Sequence, residues 1–424
     1  MTRRALIYVL GGTVIVIGAA SVVTRVVADR DPVRVGLLHS LSGNMAVSER
    51  SLVDAERLAI DEINARGGVL GRQVIPVVAD GRSQPATFAA EAERLIRDEH
   101  VAALFGVWTS AARKSVRPVV ERYHHLLFYP LQYEGLEESP NIVYLGATPN
   151  QQIIPALRWV LGTIGRRIFL VGSDYVFPRA AHAIVRDQAR KWRAEIVGEE
   201  YIAVNSLDAN AVVRHIAEVR PGVVLNTLNG AVNVAFFQAL KAAGLDASVV
   251  PVVSFSIAED ELRGLPAGVM AGHYAAWTYF QSVDTPENHV FVGAFKKKYG
   301  SERVTDDPIE AAYMSVRLWA RSVEAAGTID VDAVRRAVPD RSLSAPGGML
   351  YVDRDNRHAW KTVRIGRIKP DGQFEIVWSS GHPVRPEPYP SLRSRAAWDQ
   401  FLAQLSAGWG GLWENHGAAV RAAQ

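Results

Sequence analysis

The sequence predicts an α/β protein built from two doubly wound lobes that are joined by several hinge strands. Three observations lead to this prediction. The chain has 424 residues, which is too long for one ordinary hydrophobic core. From residue 33 onward it alternates short apolar strands with amphipathic helices, the pattern of parallel sheets covered on both faces. That alternation occurs twice with similar spacing, and the second run begins at residue 167.

The first run begins with a strand at residues 33–39 and a helix at 52–65, which Gly67 and Gly68 end. The elements that follow in this run are strands at 74–79, 101–105, 126–129 and 142–145 and a helix at 85–98. The second run has strands at 167–172, 195–202, 223–227 and 249–254, alternating with helices at 180–193, 209–219 and 233–243. Two successive units of comparable size predict two lobes whose loops face one cleft.

The remaining segments are too short to form a third core and are expected to complete both lobes. They are helices at 286–299, 309–326 and 331–338, and a β ribbon at 346–353, 362–368 and 375–379. We therefore assign residues 31–150 with about 278–350 to lobe 1, and 151–277 with about 351–382 to lobe 2. Residues 383–424 form a tail whose amphipathic helix at 396–405 is expected either to pack on the body or to bind a partner or a membrane surface.

The N-terminus, residues 1–30, has the layout of an export signal. Arg3 and Arg4 precede an uncharged apolar run at 5–23, and Arg25 follows it. The run is long for a signal core and close to the length that spans a bilayer, so both a cleaved signal peptide and an N-terminal membrane anchor are open. Either fate predicts a periplasmic or extracytoplasmic protein that meets the membrane only through this segment.

Composition and motifs argue against several classes of function. The 47 basic and 44 acidic residues are interspersed and leave a net charge of +3, so no nucleic-acid partner is predicted. With no cysteine, the chain lacks disulfides, thiolate sites and the acylated cysteine of a lipoprotein. No hydrolase, kinase or dinucleotide motif is present, and the adjacent His124 and His125 are poor joint metal ligands. We therefore predict a non-enzyme with no cofactor and no metal.

Paired carboxylates are the remaining candidates for acid–base chemistry. They occur at Glu137 and Glu138, at Asp306 and Asp307, and over residues 259–261. These segments have the composition of solvated turns or helix starts, where acidic side chains complement free backbone N–H groups. The sequence therefore predicts surface or capping roles for them.

Five loops that follow predicted strands combine aromatic rings with neutral hydrogen-bonding side chains. They are residues 107–110, 129–135, 172–178, 226–230 and 254–259. If the fold is right, these loops converge on one cleft. Aromatic faces exclude water, and hydroxyl and amide groups donate and accept without net charge, so the cleft suits a small uncharged ligand rich in N–H and C=O groups. For any single loop, ordinary turn and capping chemistry is an equally good explanation.

At these loops the chain resembles type I periplasmic binding proteins. Within them it is most similar to the urea-binding and short-chain-amide-binding proteins of ABC importers and to the amide-sensing regulator of aliphatic amidase. The runs that carry the resemblance are TSAARKSV (109–116), YPLQYEG (129–135), PNQQIIPA (149–156), VGSDYVFPR (171–179), NTLNG (226–230), NVAFF (233–237), GHYAAW (272–277) and DPIEAAY (307–313). They extend in order over roughly residues 33–380.

The resemblance implies a fold of two Rossmann-like lobes joined by a multi-strand hinge, and it implies ligand contacts from three loops. The expected ligand-binding residues are Trp108, Thr109, Ser110, Leu131, Gln132, Asp174 and Tyr175, with Asn229, Ser256 and Glu259 as further candidates. After NTLNG this chain has Ala231 and Val232 where the urea-binding branch is expected to carry polar or acidic residues, which argues against urea in particular.

Two functions follow as hypotheses. In the first, the chain captures urea or a short-chain amide in the cleft and delivers it to an ABC permease, since closure of the lobes needs only a differential affinity for the closed state. In the second, the same cleft presents its ligand to a membrane sensor or regulator, a role that the missing lipidation cysteine favours. An amidase is the third alternative, and it lacks a visible activated nucleophile.

Overall fold

The computed structural model describes residues 31–265, 267–340 and 342–415. Within these residues the strands form two separate sheets, of five and nine strands. Most of the strand pairs are parallel and are connected through helices, as in doubly wound folds. The predicted fold class, an α/β protein with two lobes, is confirmed.

The first lobe is built on the five-stranded parallel sheet, in the order β2-β1-β3-β4-β5. Its strands are β1 (Val33–His39), β2 (Val74–Asp80), β3 (Leu104–Gly106), β4 (Leu127–Tyr129) and β5 (Ile142–Tyr144). Its helices are α1 (Ala46–Ala65), α2 (Pro85–Arg97) and α3 (Ser110–Arg122), joined later in the chain by α10 (Pro286–Tyr299), α11 (Asp307–Ala326) and α12 (Val331–Ala337). Helices α10 and α11 pack on α1, where the Tyr299 hydroxyl donates to the Asp54 carbonyl at 2.7 Å, and α12 packs on α11.

The second lobe is built on the nine-stranded sheet. Its parallel part contains β6 (Arg167–Ser173), β7 (Glu195–Ile202), β8 (Val223–Thr227), β9 (Val252–Ser254) and β10 (Tyr274–Trp277). An antiparallel part follows, with β11 (Ser342–Ala345), β12 (Gly348–Val352), β13 (Ala359–Ile368) and β14 (Phe374–Val384). Although β11 and β12 belong to this sheet, their buried side chains Ala345, Leu350 and Val352 pack in the core of the first lobe. Its helices are α4 (Ile153–Thr163), α5 (Val176–Trp192), α6 (Asn210–Val219), α7 (Val232–Ala242), the short α8 (Glu259–Leu262) and α9 (Ala267–Met270), and α13 (Arg395–Gly408).

Strand β13 belongs to both lobes. Its first residue, Ala359, packs in the core of the first lobe, whereas Ile365 packs in the core of the second. The chain therefore crosses between the lobes inside a strand as well as in loops. The residue boundaries given above for the two lobes stay a prediction.

Several elements differ from the sequence prediction at their ends. Helix α1 begins at Ala46, six residues before the predicted start, and α5 begins at Val176 although Pro178 follows. Proline is tolerated there because the first turn of a helix has no intrahelical partner for its N–H groups. Strand β10 was not predicted, since YAAW has little of the β-branched composition that marks a strand.

The tail helix α13 packs on the second lobe. The Trp398 side chain is fully buried in the core of that lobe, and its indole N–H donates to the Pro390 carbonyl at 2.9 Å. Packing on the body, the first of the two predicted alternatives, is therefore what the structure contains. Among the described residues no helix is both long and apolar enough to cross a membrane. The predicted export signal or anchor at 1–30 lies outside the described residues.

Candidate functional site

The two lobes touch across the cleft at the carboxyl ends of their parallel strands. The Asn44 amide of the first lobe donates to the Val204 carbonyl of the second at 3.2 Å. Nearby, the Ser51 hydroxyl donates to an Asp260 carboxylate oxygen at 2.5 Å. Both contacts join loops or helices that follow strands of different sheets. The conformation is therefore a closed one, and the loops predicted to hold a ligand face each other.

The loop after β3 is held in a strained conformation. Gly106 has φ +117°, and a Cβ there would lie 2.4 Å from the Leu38 carbonyl oxygen. Val107, a β-branched residue, has φ +68°. These conformations cost free energy and persist only where the surroundings enforce them, which is common at ligand sites. The loop places Trp108 in the interior, where its carbonyl accepts a hydrogen bond from the Tyr129 hydroxyl at 2.7 Å.

Thr109 and Ser110 start helix α3, and part of their hydrogen-bonding capacity is used there. The Thr109 hydroxyl oxygen caps the helix by accepting from the Ala112 N–H at 3.1 Å. Its own O–H remains a donor, because a hydroxyl can donate and accept at once. The Ser110 hydroxyl donates to Glu134 and accepts from Arg113. Thr109 is therefore the better placed of the two to bind a carbonyl oxygen of a ligand.

Gln132 joins the two lobes and keeps one polar atom without a partner. Its Nε2 donates to the Phe255 carbonyl at 3.0 Å and lies 3.5 Å from the Ser256 hydroxyl. A main-chain carbonyl can only accept, so this contact fixes which end of the amide is nitrogen. The opposite atom, Oε1, is buried and has no hydrogen-bond partner. A buried unpaired acceptor is costly, and a ligand N–H would satisfy it.

Leu131 is positioned by close backbone packing beneath the Gln132 loop. Its side chain is buried in the first core. Its carbonyl faces Gly146, where a Cβ would lie 1.8 Å from the Leu131 carbonyl oxygen and 2.3 Å from the Gln132 nitrogen. Only glycine leaves room for this approach.

Asp174 and Tyr175 lie between β6 and α5 and are both buried. The Asp174 carboxylate forms an ion pair with the Arg179 guanidinium at 2.7 Å and accepts a hydrogen bond from the Asn415 side-chain amide at 2.6 Å. Burial raises the pKa of the Tyr175 phenol well above its usual range, and the charges of Glu134 and Glu414 add to this effect. Tyr175 packs in the same hydrophobic cluster as Ala111, which lies in the first turn of α3 just after Ser110.

Asn229 and Ser256 line the second lobe's side of the cleft. The Asn229 side chain donates to the Thr227 carbonyl at 3.1 Å, and its backbone N–H donates to the Ser173 hydroxyl at 3.1 Å. Ser256 lies opposite Gln132. Ser256 is thus brought to the interface between the lobes beside Gln132, and a Cβ on Gly230, the residue after Asn229, would lie 3.0 Å from the Asn44 carbonyl oxygen of the first lobe.

Glu259 lies in a different environment, beside Gln281 and the first turn of α11. Its Oε1 accepts the Gln281 N–H at 2.6 Å, and its Oε2 is buried without a hydrogen-bond partner. Burial raises its pKa to about 8, and the charges of Glu261 and Asp307 act in the same direction. The neighbours of the Glu259 carboxyl are other carboxyl groups and not the aromatic loops. The structure therefore does not bring Glu259 together with the other predicted residues.

A buried ion network that the sequence did not predict lies beneath the site. Arg113 on α3 is fully buried and pairs with Glu134 at 3.1 Å and Glu137 at 2.9 Å. Although burial opposes it, the positive charges of Arg113, Lys114 and Arg117 hold the pKa of Glu137 well below its usual range. The prediction of a solvated turn at Glu137 was wrong, because its carboxylate is compensated inside the protein instead of by water. The spacing of Arg113 and Glu137 along the chain carries no signal of this pairing.

The other two carboxylate groups are buried as well. Asp306 caps α11 by accepting the Ile309 N–H at 2.9 Å, and Asp307 accepts the Thr278 N–H at 2.9 Å. Asp306 is therefore a capping residue at a helix start, as the sequence suggested, whereas Asp307 binds the segment after β10, and neither side chain is solvated. Within the part of the chain that the structure describes, no group of three histidine or acidic side chains is arranged to hold a metal ion.

Two α/β lobes closed over a cleft with uncompensated polar atoms define a class of bilobal binding proteins. Residues 33–395 match the model of a family described as a periplasmic binding protein domain, and the chain belongs to this family. The predicted resemblance to periplasmic binding proteins is thereby confirmed, and the urea and amide branch stays a prediction. Membership of the family implies an extracytoplasmic location.

Two relatives match this chain in sequence, one over most of its length and one over a part of it. A Leu/Ile/Val-binding protein homolog 8 from Brucella abortus is 24% identical over 392 residues, which cover 87% of this chain and 95% of the relative. A limonene hydroxylase from Geobacillus stearothermophilus is 34% identical over 118 residues. This second match covers 28% of this chain and only 22% of the relative, so it says nothing about the whole protein.

Solved structures with the same fold include two that contain ligands. A solute-binding protein of an ABC transporter from Rhodopseudomonas palustris BisB5, in complex with 3,4-dihydroxybenzoic acid, has a TM-score of 0.75 and 19% identity and covers 82% of this chain and 97% of its own. The branched-chain amino acid transporter binding protein LivJ from Streptococcus pneumoniae, in complex with isoleucine, has a TM-score of 0.72 and 20% identity, covering 84% and 100%. At these identities the likeness shows the fold.

Proposed function

We propose that this chain is the extracytoplasmic solute-binding protein of an ABC importer and that its ligand is urea or a short-chain amide. The importer is supported by family membership and by the relatives of the same fold that serve ABC transporters. The ligand class is supported by one observation above the others, the buried Oε1 of Gln132 that has no hydrogen-bond partner. An amide or urea N–H supplies the donor that this oxygen requires.

The first lobe offers a matching donor. The Thr109 O–H follows β3, and Gln132 follows β4, which pairs directly with β3. A small molecule that has both a C=O and an N–H would bind to the two loops together. The carboxylate of an aromatic acid presents only acceptors and would face Gln132 Oε1 unfavourably, so a hydroxybenzoate would have to direct its phenol O–H to this oxygen. A branched-chain amino acid, with its ammonium group, is the second candidate, and a relative that binds isoleucine favours it.

A thermal-shift panel separates these ligand classes. Urea, acetamide, L-isoleucine and 4-hydroxybenzoate are each added to the full chain, and a ligand at 100 times its dissociation constant stabilises the protein by about 2.7 kcal/mol. We expect acetamide or urea to raise the unfolding temperature. A rise with 4-hydroxybenzoate alone would contradict the amide proposal while leaving a binding protein in place.

Two pairs of variants test the site residues with whichever compound binds. Gln132→Leu removes the unpartnered acceptor, and Gln152→Leu is its control because Gln152 donates to the same Phe255 carbonyl. Thr109→Val removes the free O–H, and Thr109→Ser keeps it. We expect Gln132→Leu and Thr109→Val to weaken binding at least tenfold, measured by calorimetry. Equal affinities within each pair would discredit the assignment. A sensor that presents the ligand to a membrane partner would use the same cleft and give the same binding data.

A further inference from the structure

The end of the described chain, residues 409–415, runs across one edge of the cleft, and we call this segment the C-terminal strap. It follows helix α13 and lies beyond residue 395, where the match to the family ends. Trp409 and Glu414 within it are buried. The strap is therefore a packed part of this protein that the family match does not account for.

On the second lobe the strap pairs with the loop that carries Asp174 and Tyr175. The Val176 N–H donates to the Trp413 carbonyl at 3.0 Å, and the Asn415 N–H donates to the Asp174 carbonyl at 3.0 Å. Tyr175 and Glu414 form an antiparallel bridge between these two bonds. The strap thus acts as a short added strand that fixes the backbone of two predicted ligand-binding residues.

The strap also reaches the first lobe. The Lys114 ammonium lies 4.8 Å from the centre of the Trp413 ring, within range of a cation–π interaction. Lys114 is itself held by Glu137 at 3.1 Å, in the buried ion network under the site. Trp413 therefore contacts helix α3 of the first lobe while its backbone is bonded to helix α5 of the second.

The rest of the tail is fastened to both lobes in the same way. The Leu136 N–H of the first lobe donates to the Pro388 carbonyl at 2.8 Å, and Arg395 pairs with Glu138 at 2.9 Å. Helix α13 is anchored in the second lobe through Trp398. Because the tail is bonded to both lobes at the edge of the cleft, separation of the lobes must either stretch the tail or break its bonds to one lobe.

We propose that the C-terminal strap holds the two lobes together and positions the Asp174–Tyr175 loop, so that it acts as a latch on the closed conformation. Opening of the cleft requires loss of the Trp413 contact with Lys114 or of the strap's bonds to Asp174 and Val176. The latch holds the lobes together in the ligand-free protein. The proposal therefore does not depend on which ligand the cleft binds.

The absence of cysteine allows a direct test on the full chain. Val47 on the first lobe and Leu207 on the second have exposed fractions of 53% and 60%, and they follow Asn44 and Val204, which meet across the cleft. Both are changed to cysteine and spin-labelled, and the distance distribution is measured by double electron–electron resonance without ligand. We compare a chain that ends after Gly408 with a control that ends after Asn415 and keeps the strap.

The control should give the short distances of the full chain, and the chain without the strap should gain a longer population of at least a fifth of the molecules. Identical distributions would overturn the latch. Because the truncation could impair folding, Trp413→Ala is measured beside Leu412→Ala, whose side chain is 38% exposed. A longer population in Trp413→Ala, with an unchanged circular dichroism spectrum, supports the latch. Equal distributions in these two variants contradict it whatever compound the cleft binds.

Discussion

Gln132 illustrates how a single side chain is divided between structure and binding. Its nitrogen is used for a main-chain carbonyl of the opposite lobe, and its oxygen has no protein partner. Thr109 shows the opposite division, because its hydroxyl oxygen accepts the capping hydrogen bond of α3 and its O–H stays available as a donor. A residue can bind a ligand only with the hydrogen-bond donors and acceptors that its structural hydrogen bonds leave unused. Ser110, with both its donor and an acceptor used, offers less.

The buried Glu259 makes stability depend on pH, and this gives a prediction at the scale of one residue. Its pKa is raised from 4.5 to about 8, so between these values the folded state binds more protons than the unfolded state. The stabilisation is complete below about pH 4.5 and is lost as the pH rises towards 8. Glu259→Gln keeps the acceptor for the Gln281 N–H and removes the titration.

We expect Glu259→Gln to match the unchanged protein in thermal unfolding at pH 5 and to exceed it at pH 8 by at least about 1 kcal/mol. Unfolding temperatures measured at both pH values check this. The neighbouring Glu261 and Asp306 also have raised pKa values, so some pH dependence remains in the variant. The same difference at pH 5 and pH 8 would show that Glu259 is ionised in the folded protein.

At the scale of elements, the site is made by loops at neighbouring strand ends and by helices that begin directly after them. Helix α3 begins one residue after the strained loop, and α5 begins next to Tyr175. The two helices diverge from the same edge of the cleft, one in each lobe. This arrangement brings Lys114 and Val176 within reach of one short segment of the tail.

Gly146 tests the packing of these loops. Gly146→Ala would put a methyl group 1.8 Å from the Leu131 carbonyl, and the displaced backbone carries Gln132 with it. We expect a loss of about 2 kcal/mol in the free energy of unfolding, visible as a lower unfolding temperature. Gly162→Ala in helix α4 is the control. It has open space around it and should stabilise the protein by about 1 kcal/mol. An unchanged or raised unfolding temperature in Gly146→Ala would contradict the close approach.

For the whole molecule, closure depends on a few polar contacts between the lobes. The Ser51 hydroxyl donates to Asp260 and accepts from Arg303 at 3.1 Å, so it links α1, α8 and the segment before α11. Its loss leaves Asp260 with its other partner, Arg263, on its own lobe. A hydrogen bond of this kind contributes about 1 kcal/mol, or roughly a fivefold change in an opening equilibrium.

Ser51→Ala is therefore expected to raise the equilibrium constant for opening of the ligand-free protein about fivefold. Hydrogen exchange of peptides that cover Asn229, buried under the Asn44 loop, measures this equilibrium constant. Ser42→Ala is the control, since the Ser42 hydroxyl donates to Asp80 within the first lobe at 2.7 Å. Equal exchange rates in the two variants would mean that Ser51 does not hold the lobes together.

Local pattern was enough to predict the two α/β lobes and most of their strands and helices, while the assignment of loops to the ligand site stays a prediction. The spacing of apolar residues that marks a strand or a helix is set by residues close together in the sequence. Parallel strands bring their carboxyl ends to one edge of the sheet. The predicted helix at 286–299 matches α10 residue for residue. The assignment of Trp108, Gln132 and Tyr175 to the cleft rests on the same logic and stays a prediction.

Only the tertiary structure decided how these groups are paired. The Gln132 nitrogen meets a carbonyl 123 residues away, and Asp174 meets Asn415 at a separation of 241 residues. Burial of Glu137 and Glu259 depends on the elements that cover them, which short-range composition does not encode. Burial and the pairing of hydrogen-bond donors with acceptors are properties of the packed molecule. For this reason the sequence alone could not predict the tail's contact with the cleft or the unpartnered oxygen of Gln132.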